Sequence, residues 1–122
     1  MPNEARLEIK KRGEKVMAFI EVNELNITTV LQEEFAKKQT VILKFGSEWC
    51  ESCHALEGEL EDVDDDNENI SVLMIDTNEA QELAGQYSIH QLPTMLIYAD
   101  NETLIYRGEG VMLAQDIEAL IN

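Results

Sequence analysis

The residues of this chain that are best suited to chemistry are its two cysteines, which lie in the sequence Trp49-Cys50-Glu51-Ser52-Cys53. Two thiols at this spacing across the first turn of a helix can close a small disulfide ring, and the helix N-terminus favours the thiolate at the first cysteine. Cys50 is then a nucleophile that attacks a substrate disulfide, and Cys53 attacks Cys50 and releases the reduced substrate. The spacing therefore predicts thiol–disulfide exchange.

His54 follows the pair directly and completes the C-x-x-C-H pattern of covalent c-type haem attachment. In that alternative the chain is an electron carrier with His54 as an axial haem ligand. Such proteins mature outside the cytoplasm, whereas the N-terminal residues lack the uninterrupted apolar stretch of a secretory signal. We therefore expect His54 to be a surface helix residue, with a modest electrostatic influence on the thiols as its functional alternative.

Metal binding is a further alternative for the two thiols, which are good ligands for zinc or copper(I). A closed zinc site needs four ligands, however, and only a site shared in a dimer would supply a second cysteine pair. Eight carboxylates and no base lie between Glu57 and Glu68, but this run lacks the glycine and terminal glutamate of a calcium-binding EF-hand loop. We expect a solvated helix surface there, a surface position for His90, and no bound metal or cofactor.

The elements that position the cysteines alternate between short β-rich runs and longer stretches with apolar residues at helical spacing. Phe19 to Val22 predict a first strand, and a helix with Ile27, Leu31 and Phe35 on one face is expected to end near Lys38. The nearly continuous apolar run from Val41 to Phe45 predicts a central strand covered on both sides, which Gly46 ends. This pattern predicts an α/β sandwich.

The second predicted helix opens near Trp49 or Cys50, and its buried face comprises Cys53, Leu56, Leu60 and Val63. A strand from Ile70 to Ile75 follows, and Asn78 is expected to cap a short helix. The inner stripe of that short helix is predicted to be Ala80, Leu83, Ala84 and Tyr87. The chain is expected to end with a hairpin of Met95 to Ala99 and Leu104 to Tyr106, and with a helix whose inner face is Leu113, Ile117 and Leu120.

The strand that ends in F-G-S-E-W-C-E-S-C, together with Leu92-Pro93-Thr94 some forty residues later, resembles the thioredoxin family over about residues 19–122. The resemblance implies the thioredoxin fold, a central mixed β-sheet flanked by helices on both faces. It implies that Pro93 is cis and faces the cysteines, and that the backbone of Leu92 pairs with the substrate chain. It also implies that Trp49 is the active-site tryptophan and that Gly108 or Gly110 lines the same groove.

Lys44 departs from the family, which has a buried aspartate at this position beneath the cysteines, and Met74 lies near the usual place of that aspartate's lysine partner. If Lys44 is partly desolvated, it either stabilises a thiolate as a cation or accepts the proton from Cys53. In the alternative its side chain extends to the edge of the sheet.

Glu51 and Ser52 stand where thioredoxins usually have Gly-Pro between the cysteines. A carboxylate beside Cys50 opposes the ionisation of that thiol and favours the disulfide, unless Glu51 points into water. The redox poise of the family therefore cannot be assigned to this chain.

The bulk composition sets the remaining expectations. A chain of 122 residues predicts one domain, which we place at residues 16–122 after a loose polar extension at residues 1–15. The net charge of −16 opposes binding to nucleic acid or to an anionic membrane. There is also no run of about 18 apolar residues that could span a membrane, so we expect a cytoplasmic location.

These observations predict a protein-disulfide reductase with Cys50 as the attacking thiol, Cys53 as the resolving thiol and Lys44 as an assisting group. Its expected partners are disulfide-containing protein substrates and an unidentified reductase or other thiol electron donor. We expect a monomer that needs no cofactor. The alternative from another class is a thioredoxin-fold interaction module whose cysteines are non-catalytic or regulatory.

Overall fold

The computed structural model describes residues 19–122, so the extension expected at residues 1–15 lies outside the described residues. The elements in chain order are β1 (Phe19–Glu21), α1 (Ile27–Ala36), β2 (Thr40–Gly46), α2 (Glu51–Asp66), β3 (Ile70–Asp76), α3 (Gln81–Gln86), β4 (Thr94–Asp100), β5 (Thr103–Glu109) and α4 (Ala114–Ile121). The strands form one sheet in the order β1-β3-β2-β4-β5. Strands β1, β3 and β2 are parallel, whereas β4 and β5 are antiparallel to their neighbours. The predicted mixed sheet is confirmed.

The core has two parts, one on each face of the sheet, because successive side chains of a strand point in opposite directions. On β2, Val41, Leu43 and Phe45 pack with residues of α1 and α3. Ile42 packs on the other face with residues of α2 and α4. Strand β2 is buried from Val41 to Gly46, which confirms the central strand predicted from its apolar run. Helices therefore cover both faces of the sheet.

The cap of α3 differs from the prediction. The N-cap residue is Ala80, and the backbone N–H of Asn78 donates to the side chain of Asp76 at 2.8 Å. The carboxylate of Glu24 instead accepts hydrogen bonds from the backbone N–H groups of Glu82 and Leu83, at 3.0 and 3.3 Å. A cap that comes from so far along the chain leaves no local sequence pattern.

The inner faces of the last two helices are narrower than predicted. In and beside α3 only Ala80 and Leu83 are buried, whereas Ala84 and Tyr87 are half-buried. Leu113 is 52% exposed because it is the extended N-cap residue of α4 and therefore lies outside the helical repeat. Ile117 is the fully buried residue of α4.

One edge of the sheet brings together the segments that the sequence singled out. Because β4 runs antiparallel to β2, Thr94 at the start of β4 pairs with Phe45 near the end of β2. Pro93 therefore lies beside the loop that leads from Gly46 to the cysteines. The end of β5 reaches the same place, since the backbone N–H of Gly110 donates to the carbonyl of Pro93 at 2.9 Å.

Candidate active site

Cys50 is the N-cap residue of α2, which begins one residue later than the sequence suggested. Its backbone is extended, and its Sγ accepts a hydrogen bond from the backbone N–H of Cys53 at 3.1 Å. The sulfur thus occupies the place that a serine or aspartate oxygen takes at many helix N-termini. The positive end of the helix dipole at this position favours a negative charge on Cys50.

Cys50 and Cys53 are joined as a disulfide, with their α-carbons 5.2 Å apart. The two sulfurs differ in accessibility, because Cys50 is partly exposed whereas Cys53 is 0% exposed. A protein substrate can therefore reach Cys50 and not Cys53. The predicted division between an attacking and a resolving thiol requires an asymmetry of this kind.

The two residues between the cysteines are both exposed. Ser52 Oγ lies 3.4 Å from Cys50 Sγ, within hydrogen-bonding distance for sulfur. Glu51 occupies the first turn of α2 and is exposed, so solvent screens its carboxylate from the sulfur. Its predicted opposition to thiolate formation is correspondingly small.

Lys44 is 5% exposed and lies in β2 in register with Met74 of β3. Its Nζ lies 3.4 Å from Glu57 Oε2 and forms an ion pair with it. A β-carbon added to Gly46 would lie 3.2 Å from Lys44 Cε and 3.1 Å from Cys53 Sγ. The end of the lysine chain and the buried sulfur therefore lie close to the same point beside Gly46. Lys44 Cε and Cys53 Sγ are no farther apart than these two distances together.

A cavity of about 840 Å³ borders this pair on the side away from Pro93. Lys44, Gly46 and Glu57 line it, together with charged residues from β1, β3 and the cysteine loop. The side chain of Glu57 is 32% exposed and that of Lys44 is 6% exposed. The ion pair therefore joins a buried ammonium to a carboxylate that keeps part of its hydration.

Of the residues predicted for the substrate wall, Leu92 and Pro93 lead into β4, which pairs with β2 on the side away from β3, and Trp49 directly precedes Cys50. Trp49 is 81% exposed, Leu92 is half-buried and Pro93 is buried. The peptide bond between Leu92 and Pro93 is cis, as the resemblance implies. An indole exposed to this degree beside a reactive sulfur is available to pack against a partner.

The two candidate glycines of this wall differ in their surroundings. Gly110 has φ +89°, a conformation that favours glycine, and its N–H donates to the carbonyl of Pro93. Gly108 pairs with Met95, and a β-carbon there would collide with the phenol of Tyr106. The geometry therefore favours Gly110 over Gly108 as the glycine next to Pro93.

His54 is exposed, and its Nε2 lies 3.0 Å from the backbone carbonyl of Glu48, so the ring bridges α2 to the cysteine loop. His90 is also exposed. Within residues 19–122 no group of three or more His, Cys, Asp or Glu side chains is arranged to hold a metal ion. No helix in this same range has the length and apolar character needed to cross a membrane.

Glu57 is the site residue that the sequence reasoning missed. It begins the acidic run for which the sequence predicts a solvated helix surface, yet the structure places it against Lys44. The available signal was its spacing, because Glu57 follows Cys53 by four residues and therefore lies on the same side of α2. An acid at that position forms an ion pair with the sheet only when the strand beneath α2 carries a base, as β2 does with Lys44.

Comparison with known proteins agrees with this geometry, because the family model described as Thioredoxin matches residues 18–122. This chain belongs to the thioredoxin family. It is 29% identical to a thioredoxin of Bacillus subtilis over 83 residues, which are 67% of this chain and 79% of that protein. It is also 29% identical to a thioredoxin of Chlamydia trachomatis over 98 residues, which are 78% of this chain and 92% of that protein.

Solved structures of the thioredoxin family show the same fold. The crystal structure of chloroplastic thioredoxin z has a TM-score of 0.75 and 25% identity, and the match covers 88% of this chain and 95% of that chain. A thioredoxin mutant from Halobacterium salinarum has a TM-score of 0.71 at 23% identity, with 84% of this chain and 87% of that chain covered. Family membership and a cysteine pair at disulfide distance together assign the chain to the thiol–disulfide oxidoreductases.

Proposed function

We propose that this protein reduces disulfides of other proteins through Cys50 and Cys53. The observation that carries the proposal is the asymmetry of the pair, with one partly exposed sulfur at the helix N-terminus and one fully buried sulfur behind it. A thiolate at the exposed position is stabilised and accessible, as the first step requires. The buried Cys53 thiol is positioned to react with Cys50 Sγ and is inaccessible to a protein substrate.

The reaction consists of two exchanges. The Cys50 thiolate attacks one sulfur of the substrate disulfide, a Cys50–substrate bond forms, and the other substrate sulfur leaves as a thiolate that takes up a proton. The Cys53 thiolate then attacks Cys50 Sγ, the intramolecular disulfide forms, and the second substrate thiol is released. The substrate gains two electrons and the cysteine pair loses two. An external reductase or thiol donor returns the pair to the dithiol.

Lys44 is proposed to assist the second exchange. Its side chain lies beneath Cys53, and a cation there favours the thiolate that must form on a sulfur cut off from solvent. The ion pair with Glu57 supports a charged lysine, since an unpaired ammonium is costly to bury. This role would replace the buried aspartate of other family members with a group of opposite charge.

The substrate is proposed to bind across Trp49, Leu92 and Pro93. Gly108 or Gly110 is proposed to form the edge of this groove, and the contact of Gly110 with Pro93 favours Gly110. The exposed indole supports this assignment.

We further propose that the chain acts as a monomeric cytoplasmic electron carrier. The net charge of −16 supports protein partners rather than nucleic acid or anionic membranes.

The division of roles is tested by trapping. The Cys53→Ser variant is expected to accumulate a mixed disulfide with a model substrate such as insulin, because the first exchange proceeds and the second cannot. The Cys50→Ser variant should accumulate none, and neither variant should turn over. Equal trapping by both variants, or turnover without Cys50, would contradict the proposal.

The direction of electron flow is tested by equilibrating the pair with glutathione or dithiothreitol buffers and counting free thiols. A potential near about −270 mV, the value typical of thioredoxin, would support reduction of substrates. A potential near about −180 mV or above would favour isomerisation or oxidation. A pair that never forms the disulfide would contradict redox activity altogether.

A further inference from the structure

The buried ammonium of Lys44 depends on a single acid among residues 19–122, because the ion pair there joins it to Glu57 alone. Lys44 is 5% exposed, and a charge that is nearly removed from water needs a partner to remain in place. Glu57 lies on α2 one turn beyond Cys53. The helix that carries the resolving thiol thus also carries the counter-ion of the lysine beneath it.

Other titratable groups line the same cavity, and among residues 19–122 none of them forms an ion pair with Lys44. They are Glu21 of β1, Asp76 at the end of β3, Glu79 in the loop after it, Glu48 in the cysteine loop and His54 on α2. His54 directs its Nε2 at the carbonyl of Glu48. These groups add a diffuse negative field, whereas Glu57 makes the specific contact with the lysine.

We propose that Glu57 is a positioning residue for the second exchange, in that its carboxylate holds the Lys44 ammonium beneath Cys53. The proposal rests on the proposed function of Cys50 and Cys53 and adds a named control over its resolving step. The held cation favours the Cys53 thiolate that attacks Cys50 Sγ. The Cys53 thiol gives up its proton and the Cys50–Cys53 bond forms as the Cys50–substrate bond breaks. The substrate sulfur departs with the electron pair of the broken bond, and the proton lost by Cys53 is balanced by the one that the released substrate thiolate takes up.

Removing the carboxylate leaves Lys44 two alternatives, and both weaken the effect on Cys53. The lysine can lose its proton, since a neutral amine is less costly to bury, or it can turn toward solvent through the cavity. In either case the positive charge beneath the sulfur is lost. The resolving step then slows at neutral pH and reaches its full rate at higher pH.

The resolving step can be measured directly with thionitrobenzoate. This thiol is attached to the accessible Cys50 as a mixed disulfide, and its release reports the attack of Cys53 in stopped flow across a range of pH. The Glu57→Gln variant is expected to release thionitrobenzoate roughly threefold to tenfold more slowly at neutral pH, with the rise in rate displaced to higher pH. Glu57→Asp, which keeps the charge, should recover most of the rate.

Two further variants separate positioning from a general effect of charge or folding. Glu61→Gln removes the same charge from an exposed position of α2 and should leave the pH profile unchanged. The double variant Lys44→Met with Glu57→Gln should be no slower than Lys44→Met alone, because Glu57 acts through the lysine. Thermal unfolding of each variant establishes that the protein is folded.

An unchanged profile in Glu57→Gln, a faster release, or an equal slowing in the Lys44→Met background would overturn the positioning role. These outcomes are independent of the proposed function, which depends on whether the wild-type chain reduces protein disulfides. A wild-type chain that releases thionitrobenzoate but does not reduce insulin would contradict the proposed function and leave the positioning role intact.

Discussion

Buried charged groups lie near both ends of β2 and β3, and they are held in different ways. Near the start of β2, the carboxylate of Glu34 is 0% exposed, accepts a hydrogen bond from Ser71 Oγ and pairs with Lys37 Nζ at 2.9 Å. Gln39 in turn donates to Ser71 at 3.1 Å. Near the other end, Lys44 pairs with Glu57 at the longer distance of 3.4 Å and borders a cavity.

The difference shows that burial alone does not identify a reactive charge. Glu34 sits in a network of close partners and lies far from the cysteines, at the opposite end of the sheet, so its charge contributes to folding. Lys44 has a looser contact and flanks the same glycine as Cys53. A charge held in this way costs stability and is placed to influence the ionisation of a thiol.

The largest expected effect is on the stability of the Glu34 network. Replacement of Glu34 by Ala should lower the free energy of unfolding by about 3 kcal/mol, because it removes the acceptor of the buried Ser71 O–H and opens a cavity. Urea denaturation measures this loss, and the thionitrobenzoate release rate should be unchanged. A slowed release in a folded Glu34→Ala protein would break the contrast between the two ends of the sheet.

The next effect concerns Gly46, where the strand backbone meets both Cys53 and Lys44. A Gly46→Ala substitution should lower the free energy of unfolding by about 2 kcal/mol and also slow thionitrobenzoate release, since the added methyl group displaces one of the two side chains. Gly85→Ala is the matched control, because a β-carbon there meets nothing within 4 Å. If Gly46→Ala altered neither quantity, the close packing around this glycine would not matter.

The sequence predicted the fold and the cysteine pair because both depend on local patterns. The apolar run of β2 and the face formed by Cys53, Leu56, Leu60 and Val63 are properties of consecutive residues, and the structure confirms them. The cis peptide before Pro93 followed from the resemblance to thioredoxins.

Pairings across the sheet could not be predicted in this way. The contact of Glu57 with Lys44 forms only because α2 lies over β2. The cap of α3 comes from Glu24, which precedes Glu82 by 58 residues in the chain.

Three carboxylates of the run that the sequence predicts to be solvated are engaged otherwise: Glu57 pairs with Lys44, Glu59 accepts a hydrogen bond from the backbone N–H of Ala114, and Asp64 is 0% exposed. Spacing along α2 indicates which of its acids face inward, but not which group each of them meets. The sequence marked Lys44 as unusual, but only the structure supplied its partner.

Lys44 itself gives the sharpest test of the comparison. Lys44→Met should slow thionitrobenzoate release about tenfold, which corresponds to about 1.4 kcal/mol of activation free energy. It should change the free energy of unfolding by less than about 1 kcal/mol, because an apolar chain of similar length fills the space and Glu57 keeps part of its hydration.

Lys37→Met is the counterpart at the other end of the sheet. It removes a cation from a buried carboxylate and should lower stability without changing the release rate. Equal effects of the two substitutions on either quantity would mean that the two ends do not differ in role.

The smallest expected effect separates helix flexibility from charge as the source of reactivity. Gly58 follows Glu57 on the exposed side of α2, and a β-carbon there meets nothing within 4 Å. Gly58→Ala should therefore raise the free energy of unfolding by about 0.7 kcal/mol, chiefly by restricting the unfolded chain. A shift of the urea midpoint without a change in the m-value measures it. If the ion pair sets the rate of the resolving step, thionitrobenzoate release stays the same in this stiffer helix, whereas a slower release would show that Cys53 depends on the flexibility that Gly58 provides.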